Sequence, residues 1–68
     1  MENVVIRIEG MHCQGCVTNL TGVLSGLPGV QQVEVLLAEG EARVVFDPEL
    51  TGLPALRLAI ENAGFDTA

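Results

Sequence analysis

The only two cysteines, Cys13 and Cys16, stand three positions apart within Gly10-Met11-His12-Cys13-Gln14-Gly15-Cys16. An alternating apolar run (Val4, Ile6, Ile8) ends just before them, and a helical spacing (Val17, Leu20, Leu24, Leu27) begins just after. The pair is therefore expected where a strand gives way to a helix. Backbone N–H groups at a helix start are unpaired and the helix dipole is positive there, which favours thiolate over thiol. Two thiolates on one exposed loop make a soft, negatively charged claw. Such a pair is suited to soft-metal ligation or to dithiol redox chemistry.

The rest of the chain has to hold this loop. Residues 3–9 alternate, with Val4, Ile6 and Ile8 on one face and Val5, Arg7 and Glu9 on the other, as in a strand with one side buried. Residues 15–27 carry apolar groups at the spacing of one helical face. Thr18, Thr21, Gly22 and Gly26 are poor helix formers, so packing must hold this helix; Pro28-Gly29 then stops it. Residues 30–37 predict a second strand, with Val33, Val35 and Leu37 inward and Glu34 and Leu36 outward. Ala38-Glu39-Gly40-Glu41 reads as a hairpin turn, and residues 42–46 as a third strand with Val44 and Phe46 inward. Thr51 is the expected cap of a second helix over roughly 53–63, with Pro54 in its first turn and Gly64 ending it in a left-handed conformation. Phe65-Asp66-Thr67 leaves room for a short edge strand only. The order β-α-β-β-α-β, with one apolar face per element, predicts an α+β fold: two helices on one side of an antiparallel sheet. Residues 1–68 are expected to form one domain. On the bare side of the sheet, Val5, Leu36 and Val45 have two readings, a small apolar patch for a partner or ordinary scattered surface apolars, and the second is preferred.

Composition narrows the partners. Net charge is −6, with three arginines and no lysine, so a phosphate backbone or an anionic membrane surface is a poor match. No apolar run is long enough to cross a membrane, and no signal peptide is expected ahead of the first strand. The expected address is the cytoplasm, where thiols stay reduced and a close cysteine pair is more often metal-binding or redox-active than structural. A disulfide across so short a loop would add little stability, so the fold must rest on apolar packing. Hydrophobic content of 49% with two phenylalanines as the only aromatics makes that core aliphatic. No nucleophile–base pair, phosphate loop or catalytic carboxylate pair is visible, so no enzyme is expected.

The loop Gly10-Met11-His12-Cys13-Gln14-Gly15-Cys16 resembles the Gly-Met-x-Cys-x-x-Cys loop of heavy-metal-associated domains. The likeness continues through Leu-Pro-Gly-Val (27–30), Phe-Asp-Pro (46–48) and Ile-Glu-Asn-Ala-Gly-Phe-Asp (60–66). That family comprises small copper chaperones, metal-binding domains of copper-transporting P-type ATPases and mercury-binding relatives. The resemblance implies a ferredoxin-like fold with sheet order 4-1-3-2 and Cu(I) bound by Cys13 and Cys16. It implies a copper-transporting P-type ATPase, or its metal-binding domain, as partner. Elementary chemistry agrees on the metal. Soft thiolates favour Cu(I), whereas Zn(II) wants four ligands and the chain offers only Cys13, Cys16 and His12 as good nitrogen or sulfur donors. Two-coordinate Cu(I) stays open on one side, so a partner's cysteine can attack before the first ligand leaves. Hg(II) shares these preferences, and Zn(II) or Cd(II) binding in vitro stays open.

Cys13 is expected to be the more exposed thiol, and Cys16 the one that gains most from the helix terminus. Met11 reads as a core plug anchoring the loop rather than a thioether ligand. His12 stands where the family more often has Thr or Ser; an auxiliary ligand, a link in a metal-bridged dimer or an imidazolium that favours the cysteine thiolates all stay open beside the preferred reading of an idle exposed ring, the monomer being the expected state without metal. By the resemblance, Phe65 lies near the metal loop and shields it, in the place where ATPase domains often have phenylalanine and bacterial chaperones tyrosine. A free chaperone and a transporter domain are both live readings; a dithiol redox protein is the competitor from another class, and an interaction module with a vestigial site is a third.

Overall fold

The computed structural model describes residues 1–67. Its elements are β1 (Glu2–Glu9), α1 (Gln14–Ser25), β2 (Val30–Leu36), β3 (Glu41–Phe46), α2 (Leu53–Asn62) and β4 (Asp66–Thr67). The four strands form one sheet in the order β2-β3-β1-β4, the 4-1-3-2 arrangement expected from the resemblance. The observed β1–β3, β1–β4 and β2–β3 pairings are all antiparallel. Both helices cover one face, as the apolar alternation of the strands requires.

The core lies between these layers. Ile6 and Ile8 of β1 and Ala42, Val44 and Phe46 of β3 point into it, against Leu20 and Leu24 of α1 and Leu56 and Ile60 of α2. Fully burying such an aliphatic side chain stabilises by about 1.5–3 kcal/mol. The ion pairs of Arg43 with Glu41 (2.9 Å) and Glu34 (4.0 Å) lie on the bare face, where water screens them, so they contribute little. On that face Arg43 stands opposite Val5 on one side and Glu34 on the other.

Several local details depart from the sequence reading. Helix α1 ends at Ser25, capped by Gly26, rather than at residue 27; Leu27 lies beyond it yet still packs on the core. Thr18 and Thr21 return their hydroxyls to the carbonyls of Gln14 (3.2 Å) and Val17 (2.7 Å), which satisfies these groups inside the helix. The cap of α2 is Gly52, not Thr51, and no side chain bonds the free amides there; Pro54 occupies the first turn as expected. Strand β2 carries an irregularity between Val30 and Gln32, so Gln31 is displaced from the ladder and no simple alternation describes its start. The left-handed residues expected at Gly40 and Gly64 are present, with φ 64° and 99°.

Gly29 is constrained twice. Its φ is 86°, and a Cβ there would stand 2.6 Å from that of Leu50. Gly29→Ala is therefore expected to lower stability by more than the roughly 1–2 kcal/mol of the left-handed backbone alone. A urea midpoint equal to that of the parent protein would refute this.

Candidate metal centre

Strand β1 delivers the loop. At Gly10 the backbone turns with φ 88°, and Met11 then drops into the core at 7% exposure. Behind it, the amide of Ile8 donates to the carbonyl of Gly40 (2.8 Å), which fastens the end of β1 to the β2–β3 turn. With Met11 anchored below, His12 and Cys13 are left on the outside, both exposed. Cys13 has extended geometry (φ −143°, ψ 160°) and is itself the N-cap of α1. Its Sγ accepts the amide of Cys16 at 3.3 Å, and its carbonyl accepts the same amide at 3.1 Å. Cysteine is not among the preferred capping residues, so this double duty carried no propensity signal.

Cys16 follows in the first helical turn, partly buried, with its side chain packed against the core cluster. Both cysteines are free, and their sulfurs are 2.6 Å apart. The Cys16 thiol is pushed below its ordinary pKa, first by the hydrogen bond from the Cys13 side chain, then by backbone amides, that of His12 foremost, with desolvation opposing them. The helix start thus acts mainly by placing Cys13 beside Cys16. Since the deprotonated form is favoured, the Cys16 thiolate is present to lower pH than in an unfolded chain and is lost as pH falls through the lowered pKa. In alkylation–pH profiles, Cys16 should react with a midpoint below that of a free cysteine, and Cys13→Ala should move this midpoint upward. An unmoved midpoint would contradict the assigned cause.

The pair suits a soft ion in ligand type and access. A thiolate–metal bond is about 2.3 Å long for zinc, so two sulfurs sharing an ion must stand further apart than this contact. Cys13 is exposed as the cap, whereas Cys16 is set in the helix and partly buried. Among the described residues, no group of three or more His, Cys, Asp and Glu side chains is arranged to hold a metal. His12 is exposed beside Cys13. Met11 belongs to the buried core, while Phe65 packs partly buried against it, its amide bonded to the carbonyl of Ile60 (3.2 Å). Met11, Cys16 and Phe65 therefore rest on one apolar cluster. No helix among the described residues is long and apolar enough to cross a membrane.

A helix-start dithiol thus stands at one end of a two-layer βαββαβ sandwich. Residues 5–66 match the model of the heavy-metal-associated domain, and the chain belongs to that family. It is 46% identical over 67 residues to Copper-transporting ATPase 1 of Mus musculus; the match takes in 98% of this chain but spans only 4% of the ATPase. It is also 46% identical over 66 residues to an uncharacterized protein of Haemophilus influenzae, covering 97% of this chain and 96% of that one. Among solved structures it resembles the CopZ metallochaperone with TM-score 0.96 and 27% identity, over 98% of this chain and all (100%) of that one.

Proposed function

We propose that this chain carries Cu(I), held by the thiolates of Cys13 and Cys16, and hands it on by thiolate exchange to a copper-transporting P-type ATPase or its metal-binding domain in the cytoplasm. The observation that carries the reading is the pair of free sulfurs in contact at the rim, one exposed and one fixed in the helix. Softness selects Cu(I) over harder ions. Two ligands leave the ion open to an entering partner sulfur, from the acceptor or from a second copy of this chain. Likeness to a copper ATPase and to a metallochaperone supports both the metal and the partner.

Anaerobic Cu(I) titration against a competing chelator tests the proposal. One tightly bound Cu(I) per chain, transferable to a partner domain bearing a cysteine pair, is the expected result. Turnover in a disulfide-exchange assay without stoichiometric copper binding would instead make it a redox protein. Because His12 is exposed and stands in no group arranged to hold a metal, His12→Ala is expected to change Cu(I) affinity by less than about threefold, well below the roughly 10–100-fold cost of losing an orienting partner. A large loss in the same titration would make His12 a ligand.

A further inference from the structure

Strand β2 stands last in the sheet order, so one of its sides has no neighbouring strand among the described residues. Pairing parity fixes which amides face that side. The amide of Ile8 donates to the carbonyl of Gly40, so the even-numbered residues of β1 and β3 bond each other. The odd-numbered residues of β3 then bond β2, at Glu34 and Leu36. Val33 and Val35 are left with their N–H and C=O groups directed outward. Their side chains pack against the core yet stay half-buried, because the sheet stops at this edge. The displaced Gln31 closes the window at one end and the turn beyond Leu36 closes it at the other.

Charge is distributed unevenly around this edge. Residues 10–33 hold no Asp, Glu, Lys or Arg, and they include all of α1, the helix packed over β2. Glu34 is the one charged residue of β2, and its side chain is 63% exposed. Arg43 beside it lies nearer to Glu41 (2.9 Å) than to Glu34 (4.0 Å), so the Glu34 carboxylate stays open to a second cation.

We propose that the outer edge of β2 docks an extended partner segment in which a lysine or arginine, flanked by β-branched apolar residues, stands opposite Glu34. In antiparallel addition, Val33 and Val35 each exchange a pair of N–H···O=C bonds with the two apolar residues. Those apolar side chains extend the core layer beside α1, and the cation falls on the bare face against Glu34. The net charge of −6 steers a basic segment inward. It also turns away a second copy of this chain. Pairing Val33 with Val35 of a copy sets Glu34 against its own counterpart, and sliding the register runs into Gln31 or the turn. Neither cysteine takes part, so the docking stands apart from the carrier proposal and is tested without metal.

The probes are two synthetic peptides with blocked ends, Thr-Val-Lys-Val-Thr and Thr-Val-Glu-Val-Thr, titrated into the isotope-labelled full chain. The amide resonances of Val33 and Val35 should shift with the lysine peptide. It should bind at least about threefold more tightly than the glutamate peptide, the order by which opposite and like charges facing across strands differ. Glu34→Lys, a change on the exposed surface, should reverse that preference. A lysine peptide with both valine nitrogens methylated has lost the donors and should shift neither amide. Shifts centred away from β2, equal affinity for the two peptides, an unreversed preference or binding of the methylated peptide overturns the proposal. Shifts of Val33 and Val35 on raising protein concentration alone would assign the edge to a second copy and overturn it too.

Discussion

Replacing Cys16 with serine is expected to lower Cu(I) affinity by more than about 100-fold, the upper range for losing an outer-shell partner of a ligand. A serine oxygen is harder and stays protonated at neutral pH, so it replaces neither the softness nor the charge of a thiolate. Cys13→Ser should cost a similar factor in affinity while keeping the start of α1 capped, because serine is a preferred N-cap whose hydroxyl oxygen can accept the Cys16 amide in place of the Cys13 sulfur. Neither variant should lose helicity in circular dichroism without metal, so a fall in affinity reports the lost thiolate and not an unfolded helix start. Chelator competition measures the affinity. Retention of parental Cu(I) affinity by either variant would remove the proposed ligand pair.

The second large effect is on the fold. Leu20→Ala is expected to destabilise by about 2–5 kcal/mol, the usual range for truncating a buried leucine. Leu20 has no exposed surface and lies one helical turn after Cys16. At about 0.05–0.15 kcal/mol per residue, a chain of 68 residues has roughly 3–10 kcal/mol in total, so this single change removes a large share. Thermal unfolding should drop by about 8–40 °C, taking roughly 4–8 °C per kcal/mol for a domain of this size. If the folded form alone binds Cu(I), loading restores about 2.7 kcal/mol at a free concentration 100-fold above Kd. A melting temperature unchanged by the substitution would place Leu20 outside the core; a variant unmoved by Cu(I) would uncouple the metal from the fold.

The layers were readable from the chain because each strand and helix has one apolar face. Ile6, Val44, Leu20 and Ile60 keep the period of their element and all end up buried. Sheet order was not in the periodicity; it came with the family resemblance, since alternation says which face is buried and not which strand is the neighbour. Boundaries failed where the loop path decides. Leu27 continues the helical apolar spacing, yet the chain leaves the helix after Ser25 and still lays Leu27 on the core, so packing and helicity part company there. Thr51 has the chemistry of a cap but stands one residue too early, at Gly52's expense. The displacement at Gln31 reflects how β2 registers against β3, a non-local constraint that β2's own residues do not carry. At the site, the cysteine positions were legible from spacing alone, and Cys16 in the first turn followed from the helix start. That Cys13 would cap the helix was not, since it depends on the extended backbone that Met11 imposes by entering the core.

That cap ties cargo to local backbone order. The sulfur receiving the Cys16 amide is also one of the two proposed to grip the ion, so the same electron density is asked to serve both. Filling the claw should loosen this one N–H contact and emptying it should restore it. The Cys16 amide resonance and its exchange with deuterated solvent then become a built-in gauge of occupancy, legible without any probe attached to the protein.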